Sequence, residues 1–268
     1  MSALLRGQGS IFQPMLTAIT RVPSLRLPEC ELTFLERRVI DVQRARVQHR
    51  AYQDALRAAG ARVVELAPLD ALPDATFVED AVLVLDELAI VAPMGAATRR
   101  GESDAMSDAL LAYRPIRRLT PPATMDGGDV LRLGRTLYVG QTPRTNASAI
   151  EQLRSLLTPL GYAISAVPVT RCLHLKSACS PLDDATVLVN PEWVDPSVFG
   201  IARLVPVART EPWGANTARV GETVILPASE PHTRAIVERH GYRTAVADVS
   251  ELQKAEAGVS CLSVVFEA

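Results

Sequence analysis

Residues 41–66 read DVQRARVQHRAYQDALRAAGARVVEL, and the order of patterns in this stretch recurs along the rest of the chain. Apolar residues repeat at roughly helical spacing from 41 to 59, which predicts an amphipathic helix. Gly60 follows where a C-terminal cap would stand. Residues 61–66 then predict a strand. The unit encoded here is a helix, a glycine stop and a strand.

The same order of helix, glycine and strand returns in four further places, two of them clear and two weaker. The clear copies have predicted helices at 148–160 and 233–240, stops at Gly161 and Gly241, and strands at 162–169 and 242–249. The weaker copies place strands at 116–119 and 201–207. Predicted hairpins lie between the units, with turns or turn residues at 86–87, 134–135, 183–184 and 221–222.

A supersecondary unit repeated at about 40–50 residues indicates an array. Five such units can close into a ring, which leaves no open sheet edge. We therefore predict one α/β domain over residues 1–268 with fivefold pseudo-symmetry. Its helices lie outside and its strand ends meet at the centre. Residues 1–16 are predicted to be a loose N-terminal extension.

Composition excludes several classes of partner. The chain has 268 residues, 48% hydrophobic and 22% charged, with a net charge of −2, which gives no electrostatic basis for binding nucleic acid or an anionic membrane. No window approaches 18 apolar residues, and residues 1–14 lack the apolar run of a signal peptide. The four cysteines form no C-x-x-C pair. These features predict a cytoplasmic protein in a reducing compartment.

Acidic residues stand directly before the first two hairpins, where a ring would bring them to its axis. Glu79 and Asp80 precede the first hairpin, with Asp74 a few residues upstream. Asp126 precedes the second, within the sequence Asp-Gly-Gly-Asp, and the two glycines permit a tight path that exposes it. The alternative is solvated surface acids and an ordinary turn.

His174 occupies the corresponding position in the fourth unit. Residues 173–176 alternate between leucine and polar side chains, which predicts a strand with His174 and Lys176 on one face. Cys261 follows Gly258 and precedes a predicted strand at 262–266. A buried core cysteine and a structural histidine are the alternative. Together, however, a thiol and a base meet the requirement for nucleophilic catalysis.

Arginines follow the same two hairpins. Arg99 stands after the first and Arg144 after the second, and such a pair suits bidentate binding of a carboxylate. Acids that attract a cation, arginines that bind a carboxylate and a thiol nucleophile together indicate an amino-acid substrate with a cationic side chain. A thiolate can attack a guanidinium carbon when carboxylates bind the positive charge of the guanidinium and a proton reaches the leaving amine.

At this point the sequence resembles the dimethylarginine dimethylaminohydrolases, members of the pentein superfamily of guanidino-group-modifying enzymes. The residues that carry the resemblance run from about 21 to 266: Phe77-Val78-Glu79-Asp80, Arg99-Arg100, Met125-Asp126-Gly127-Gly128-Asp129-Val130, Arg144-Thr145-Asn146, Leu173-His174-Leu175-Lys176-Ser177, Ala215-Asn216 and Val259-Ser260-Cys261. The resemblance implies a five-bladed ββαβ propeller. It also implies hydrolysis of Nω-methylated arginines to citrulline and methylamines, without a required cofactor.

The resemblance further assigns roles, residue by residue. It implies Cys261 as nucleophile, His174 as general acid and base, and Asp126 as the acid that completes the catalytic set. It implies substrate-binding roles for Asp74 at the α-amino group, Glu79 and Asp80 at the guanidinium, Arg99 and Arg144 at the carboxylate, Leu32 in a closing loop and Ala255 through its backbone carbonyl.

Three other interpretations remain open. A sister pentein hydrolase would act on arginine or another guanidine, although those enzymes are usually longer. A non-catalytic pentein would be a binding protein, but it would lack the set of Cys261, His174 and Asp126. A metal site is the third, and we expect no metal requirement but inhibition by Zn²⁺ at Cys261. A monomer and a homodimer are both compatible with the sequence.

Overall fold

The structure is a computed structural model that describes residues 15–200 and 202–268. The predicted extension at 1–16 lies outside the described residues as far as residue 14. Its last two residues are not loose, because Leu16 begins the first strand and Met15 exchanges backbone hydrogen bonds with Ala268. The boundary predicted at residue 16 was therefore too late.

The described residues form fifteen strands and six α-helices. The strands are β1 (Leu16–Arg21), β2 (Arg62–Leu66), β3 (Leu83–Val84), β4 (Ala89–Val91), β5 (Ile116–Arg118), β6 (Val130–Leu133), β7 (Thr136–Gln141), β8 (Ala163–Pro168), β9 (Cys179–Pro181), β10 (Thr186–Val189), β11 (Arg203–Pro206), β12 (Ala218–Val220), β13 (Thr223–Pro227), β14 (Arg243–Ala247) and β15 (Val264–Glu267). The helices are α1 (Val42–Ala58), α2 (Gly101–Leu110), α3 (Ala147–Leu157), α4 (Leu175–Ala178), α5 (Pro231–Arg239) and α6 (Ser250–Gln253).

The strands of the described residues are arranged in five three-stranded sheets of one design. In each sheet a central strand pairs antiparallel with one neighbour and parallel with the other, as β7 does with β6 and β8. The parallel pairs are connected through α1, α2, α3 and α5 in four of the sheets. Between β10 and β11 the connection holds only a 3₁₀ turn, Pro196–Phe199. The prediction of five repeated α/β units is confirmed.

One sheet joins the two ends of the chain. Strand β15 pairs antiparallel with β1, and β1 pairs parallel with β2. The first unit is therefore completed by the last strand, so the order of units closes on itself. Each three-stranded sheet still has two edge strands, so the prediction that the ring leaves no open sheet edge was wrong: the order of units closes without pairing between sheets.

Local sequence signals set the helix ends. Asp41 caps α1 by accepting a hydrogen bond from the backbone N–H of Arg44, and Asn146 caps α3 in the same way. After α1, Gly60 adopts a left-handed conformation with a φ of 98°, which an L-side chain would strain. The glycine stops predicted from the repeat thus have the expected backbone geometry.

Two predicted strands near the site have a different structure. Residues 173–176 do not form a strand: His174 is extended, and the short helix α4 begins at Leu175. The buried carboxylate of Asp129 accepts the backbone N–H of Leu175, and this contact outweighs a four-residue alternation. Cys261 lies in a 3₁₀ turn, Ser260–Leu262, and the strand after it begins at Val264.

An apolar cluster packs behind Cys261. It joins Tyr52 and Leu56 of α1 to Val259 and Leu262, and it includes Cys261 itself. The Tyr52 hydroxyl also hydrogen-bonds the Ser263 hydroxyl at 2.7 Å. The backbone on both sides of the thiol is thereby fixed by the core. Within residues 15–200 and 202–268, none of the helices has the length and apolar character needed to cross a bilayer.

Candidate active site

Most of the predicted site residues line one small pocket with a cavity volume of about 10 Å³. Those that line it are Asp74, Asp80, Arg99, Arg144, His174, Ala255 and Cys261. They come from separate units: the turn before β3, the 3₁₀ turn after β4, the start of α3, the residue before α4 and the turn before β15. Leu32, Glu79 and Asp126 lie next to the pocket without lining it.

The thiol of Cys261 is buried with only 8% of the residue exposed. Burial raises its pKa to about 12, and the nearby carboxylates of Asp80 and Glu79 act in the same direction. The resting cysteine is therefore a neutral thiol. A bound cation would lower this pKa, because it would offset those carboxylates.

His174 lies between two carboxylates. Its Nε2 is 3.1 Å from Oδ2 of Asp126, and its Nδ1 is 3.6 Å from Oδ1 of Asp80. Burial alone would lower the pKa of the imidazole, but Asp80, Asp129 and Asp126 together raise it to about 9. The ring is thus protonated at neutral pH and can donate a proton on either side.

Asp126 holds this imidazole from outside the pocket. It is fully buried, and its Oδ1 accepts the backbone N–H of Gly95 at 2.9 Å. Burial acts to raise the pKa of Asp126, but the bond to His174 outweighs it, so the pKa stays below its usual value. The carboxylate is ionised and orients the ring.

Asp80 supplies an acceptor that faces the pocket. Its Oδ2 accepts a hydrogen bond from Nη1 of Arg99 at 3.0 Å. Its Oδ1 is buried and has no hydrogen-bond partner among the described residues. A buried carboxylate oxygen without a donor is costly, and a bound cationic N–H group would satisfy it.

The two arginines differ in availability. Arg99 donates from Nε and Nη2 to Glu102, at 3.0 and 2.8 Å, as well as to Asp80. Arg144 donates from Nη2 to the Thr33 hydroxyl, while its buried Nη1 lies 3.5 Å from Oδ2 of Asp126 and makes no hydrogen bond within the described part of the chain. Arg144 therefore makes fewer hydrogen bonds than Arg99, whose N–H groups donate to two carboxylates.

Glu79 supports the turn that carries the nucleophile. Its carboxylate accepts from Nζ of Lys176 at 2.6 Å and from the Ser260 hydroxyl at 2.8 Å, and its backbone N–H donates to the carbonyl of Cys261. The Asn216 side chain also bonds Ser260, through both its oxygen and its nitrogen. The sequence placed Glu79 at the guanidinium, but here it is engaged behind the thiol.

Gly258 passes close to Asn216 in this arrangement. A Cβ at position 258 would lie 2.1 Å from Oδ1 of Asn216, so any larger residue would displace that amide. The close approach of two segments is therefore what requires a glycine at position 258.

A loop covers the pocket from the N-terminal side. Glu31 lines the pocket, and its backbone N–H donates to Oδ2 of Asp74 at 3.1 Å. Burial raises the pKa of Asp74. Leu32 is half-buried and packs against the apolar cluster that contains Cys261. Leu32 follows Glu31 in this loop and its side chain does not line the pocket, so the closing role that the resemblance implies for it stays a prediction.

Sequence reasoning missed two residues that organise the site. Asp129 is fully buried and accepts hydrogen bonds from Thr142, Thr145 and the backbone of Leu175, and burial raises its pKa to about 6. Glu102 forms an ion pair with Arg99, with 2.8 Å between Oε2 and Nη2. The signals were present: Asp129 ends the Asp-Gly-Gly-Asp sequence, and Glu102 stands three residues after Arg99.

No group of three or more histidine, cysteine and acidic side chains is placed to hold a metal ion within residues 15–200 and 202–268. Cys261 and His174 both line the pocket, but the acids beside them are paired with His174, Arg99 or Arg144. All four cysteines are free thiols and buried.

Comparison with known proteins gives one consistent family. The family model described as "N,N dimethylarginine dimethylhydrolase, eukaryotic" matches residues 33–179. The N(G),N(G)-dimethylarginine dimethylaminohydrolase of Streptomyces coelicolor is 40% identical over 94% of this chain and 97% of its own length.

Solved structures agree with this assignment. The dimethylarginine dimethylaminohydrolase of Pseudomonas aeruginosa, as a cysteine-to-serine mutant complexed with citrulline, superposes with a TM-score of 0.90 at 33% identity, covering 94% of this chain and all of that one. A histidine-to-glycine form carrying an adduct with S-methyl-L-thiocitrulline gives 0.89 at 32% identity, over 95% of this chain and all of that one. The chain belongs to the dimethylarginine dimethylaminohydrolase family and has the pentein fold of five ββαβ modules.

Proposed function

We propose that this protein hydrolyses Nω,Nω-dimethyl-L-arginine and Nω-monomethyl-L-arginine to L-citrulline and dimethylamine or methylamine. One observation carries the proposal. The neutral thiol of Cys261 shares a pocket with a protonated imidazole, a carboxylate oxygen of Asp80 and an Nη1 of Arg144, and neither of these last two atoms makes a hydrogen bond within the described residues. Those groups match a substrate with a guanidinium at one end and a carboxylate at the other.

Substrate binding prepares the nucleophile. The guanidinium takes its place beside Asp80, and its positive charge lowers the pKa of the Cys261 thiol, which releases its proton to water; the dimethylamine that leaves later takes up a proton from solvent. Arg144 binds the α-carboxylate, because the N–H groups of Arg99 already donate to Glu102 and Asp80. Asp74 and the backbone carbonyl of Ala255 take the α-amino group.

The first chemical step forms a carbon–sulfur bond and breaks a carbon–nitrogen bond. The Cys261 thiolate attacks the guanidinium carbon, and His174 donates its proton to the dimethylamino nitrogen as that amine leaves. The product on the enzyme is a covalent thiouronium-type adduct. Asp126 keeps the imidazole oriented and stabilises its charged form.

The second step returns the enzyme to its starting state. His174, now neutral, removes a proton from a water molecule as that water attacks the adduct carbon. The carbon–sulfur bond then breaks, citrulline leaves with the water oxygen, and Cys261 and His174 recover their protons. The sum is one substrate cation and one water converted to citrulline and dimethylammonium.

Thiol, imidazole and carboxylates supply every proton and bond in this scheme, so we propose that no cofactor is needed. We also propose that added Zn²⁺ inhibits by binding the Cys261 thiolate. Because the nucleophile has to stay reduced, the scheme fits a reducing compartment such as the cytoplasm. The pocket is built from one chain, so either a monomer or a homodimer would serve.

Incubation with dimethylarginine, monomethylarginine and arginine, with assays of both citrulline and the released amine, tests the proposal. We expect citrulline from the two methylated substrates, undiminished by EDTA. Citrulline and ammonia from arginine alone would instead identify a sister hydrolase. No turnover of any of the three would favour a non-catalytic binding protein.

A further inference from the structure

The loop that covers the pocket, residues 31–36, is tied down by an acid that the catalytic scheme does not use. Oε1 of Glu256 accepts the backbone N–H groups of Thr33, Phe34 and Leu35, at 2.9, 2.5 and 2.5 Å. Its Oε2 accepts from Thr33 as well, at 3.0 Å. One carboxylate thus binds three successive amides, and hydrogen bonds to an ionised acceptor are roughly twice as strong as neutral ones.

The backbone of Glu256 is itself unusual. Its φ is 60°, in the left-handed region that residues other than glycine rarely occupy, and only 8% of the residue is exposed. Such a conformation persists where the surroundings hold it. Ala255 and Ala257 on either side line the pocket. The carboxylate therefore connects the covering loop directly to the pocket wall.

The loop makes three other polar contacts, and none of them holds it closed both strongly and without involving a substrate-binding residue. Glu31 donates to Asp74 and Thr33 accepts from Arg144, but the proposed function gives both Asp74 and Arg144 to the substrate. The remaining contact, from the Thr98 hydroxyl to Glu31, is exposed. Among the contacts of the loop with residues 15–200 and 202–268, the partly buried one with Glu256 is the one that is charge-assisted and independent of substrate.

The loop itself has little else to hold it. The side chains of Phe34 and Leu35 are exposed, at 47% and 38%, and Leu32 is the apolar side chain of the loop that packs against the apolar cluster. Few apolar contacts and a covering position are the features of a segment that opens at low cost. The pocket is small and its reactive groups are buried, so the loop has to move aside before a substrate can enter.

We propose that Glu256 is a positioning residue that latches loop 31–36 over the catalytic pocket. With the latch intact, closure does not depend on the substrate, and the pocket excludes water while the thiouronium adduct forms. With the latch broken, the buried polar contacts left to the loop are those with Asp74 and Arg144, the groups that a substrate has to share, beside the exposed contact with Thr98 and the packing of Leu32.

Limited proteolysis tests the latch without any substrate. Arg37 and Arg38 lie at the end of the loop, and Arg37 is itself bound to the carbonyls of Pro28 and Cys30. In Glu256→Gln the charge is lost and one acceptor oxygen becomes a donor, so the loop opens more often. We expect trypsin to cut after Arg37 or Arg38 at least about tenfold faster than in the wild type, because cleavage follows the population of the open form.

The matched control is Glu36→Gln, the same change at an exposed position in the same loop. Trypsin should cut this variant at the wild-type rate. Glu256→Asp keeps the charge, so its cleavage rate should lie between those of the wild type and Glu256→Gln. If Glu256→Gln melts at the wild-type temperature and is cut no faster than Glu36→Gln, there is no latch.

A kinetic measurement separates the latch from the proposed function on which this second readout rests. Glu256→Gln should have a several-fold higher KM for dimethylarginine, with a smaller change in kcat. Glu36→Gln should keep the wild-type KM and kcat. An inactive wild-type protein would count against the proposed function alone, since the proteolysis result would still decide the latch. Equal KM and equal cleavage in both variants would overturn the proposal.

Discussion

At the scale of single residues, the site depends on how charge is divided between a thiol and an imidazole. Burial and two carboxylates hold Cys261 neutral, while three carboxylates hold His174 protonated. The pair thus carries both protons at rest. Attack requires one proton to leave, and only a cationic ligand in the pocket makes that favourable.

Replacing the nucleophile is the most direct check. Cys261→Ser should bind substrate yet turn over at least about a hundredfold more slowly, because a hydroxyl is a far weaker nucleophile here. Mass spectrometry of an acid-quenched wild-type reaction should find the adduct on the peptide that contains Cys261. Cys30→Ser and Cys172→Ser serve as controls and should stay active, since neither residue lines the pocket. Full activity in Cys261→Ser would contradict the assignment.

The role of Arg144 in binding the carboxylate can be tested by comparing Arg144→Ala with the wild type on a full and a truncated substrate. Free methylguanidine lacks the carboxylate, and losing a buried charged contact costs on the order of 2–5 kcal/mol, or tens- to thousands-fold in rate. Arg144→Ala should lose that factor with dimethylarginine but little with methylguanidine. The exposed Arg100→Ala is the control. Equal losses with both substrates would show that Arg144 does not bind the carboxylate.

The charge on His174 also makes a prediction about stability. Its folded pKa of about 9 lies above the ordinary value of 6.5, so its contribution is complete below pH 6.5 and is lost as the pH rises through 9. Urea unfolding at a series of pH values should show the free energy of unfolding falling over this range. His174→Gln should flatten that slope. An unchanged slope would mean that the imidazole is not protonated in the folded protein.

At the scale of elements, α4 shows where sequence patterns stop being informative. The helical and glycine signals at Gly60, Gly161 and Gly241 are local, and the backbone follows them. The alternation at 173–176 was overruled by a contact from Asp129, 46 residues away in sequence. Sequence could place Cys261, His174 and Asp126 in one centre, but it could not show that Arg99 is already bound to Glu102.

Asp129 should therefore matter although it does not line the pocket. Asp129→Ala would leave three hydrogen-bond donors without their acceptor, at a cost of about 1–3 kcal/mol each where they stay buried. We expect lower thermal stability together with a fall in kcat, because the backbone after His174 loses its anchor. Asp129→Asn keeps the shape and one acceptor oxygen and should lose less. Equal effects of the two changes would rule out an anchoring role.

At the scale of the whole molecule, five sheets share one design while their polar residues differ. The chemical groups of the pocket come from several units, and none of these units has a complete set. Activity therefore requires all the units in place at once. The repeated pattern made this arrangement predictable, whereas the contacts between units, such as Glu256 with loop 31–36, follow from no local signal.

We propose that residues 15–268 form a single domain, so unfolding should be one cooperative event. The sheet that joins β15 to β1 ties the last unit to the first, which leaves no unit free to unfold alone. Calorimetric and van't Hoff enthalpies should agree, and fluorescence and circular dichroism should give coincident transitions. Two separated transitions would indicate independent parts.

The pairing of Met15 with Ala268 has one more consequence. Because the two backbones exchange hydrogen bonds, the ends of the described chain are neighbours in space, and a hairpin loop of about two to five residues would connect them. The polypeptide could then be cut at the exposed turn at Gly134 and its segments read in a new order, with every strand pair kept. Cys261 would then lie in the middle of the new polypeptide instead of seven residues before its end. The order of the sheets is circular, so the permuted chain is expected to form the same five sheets.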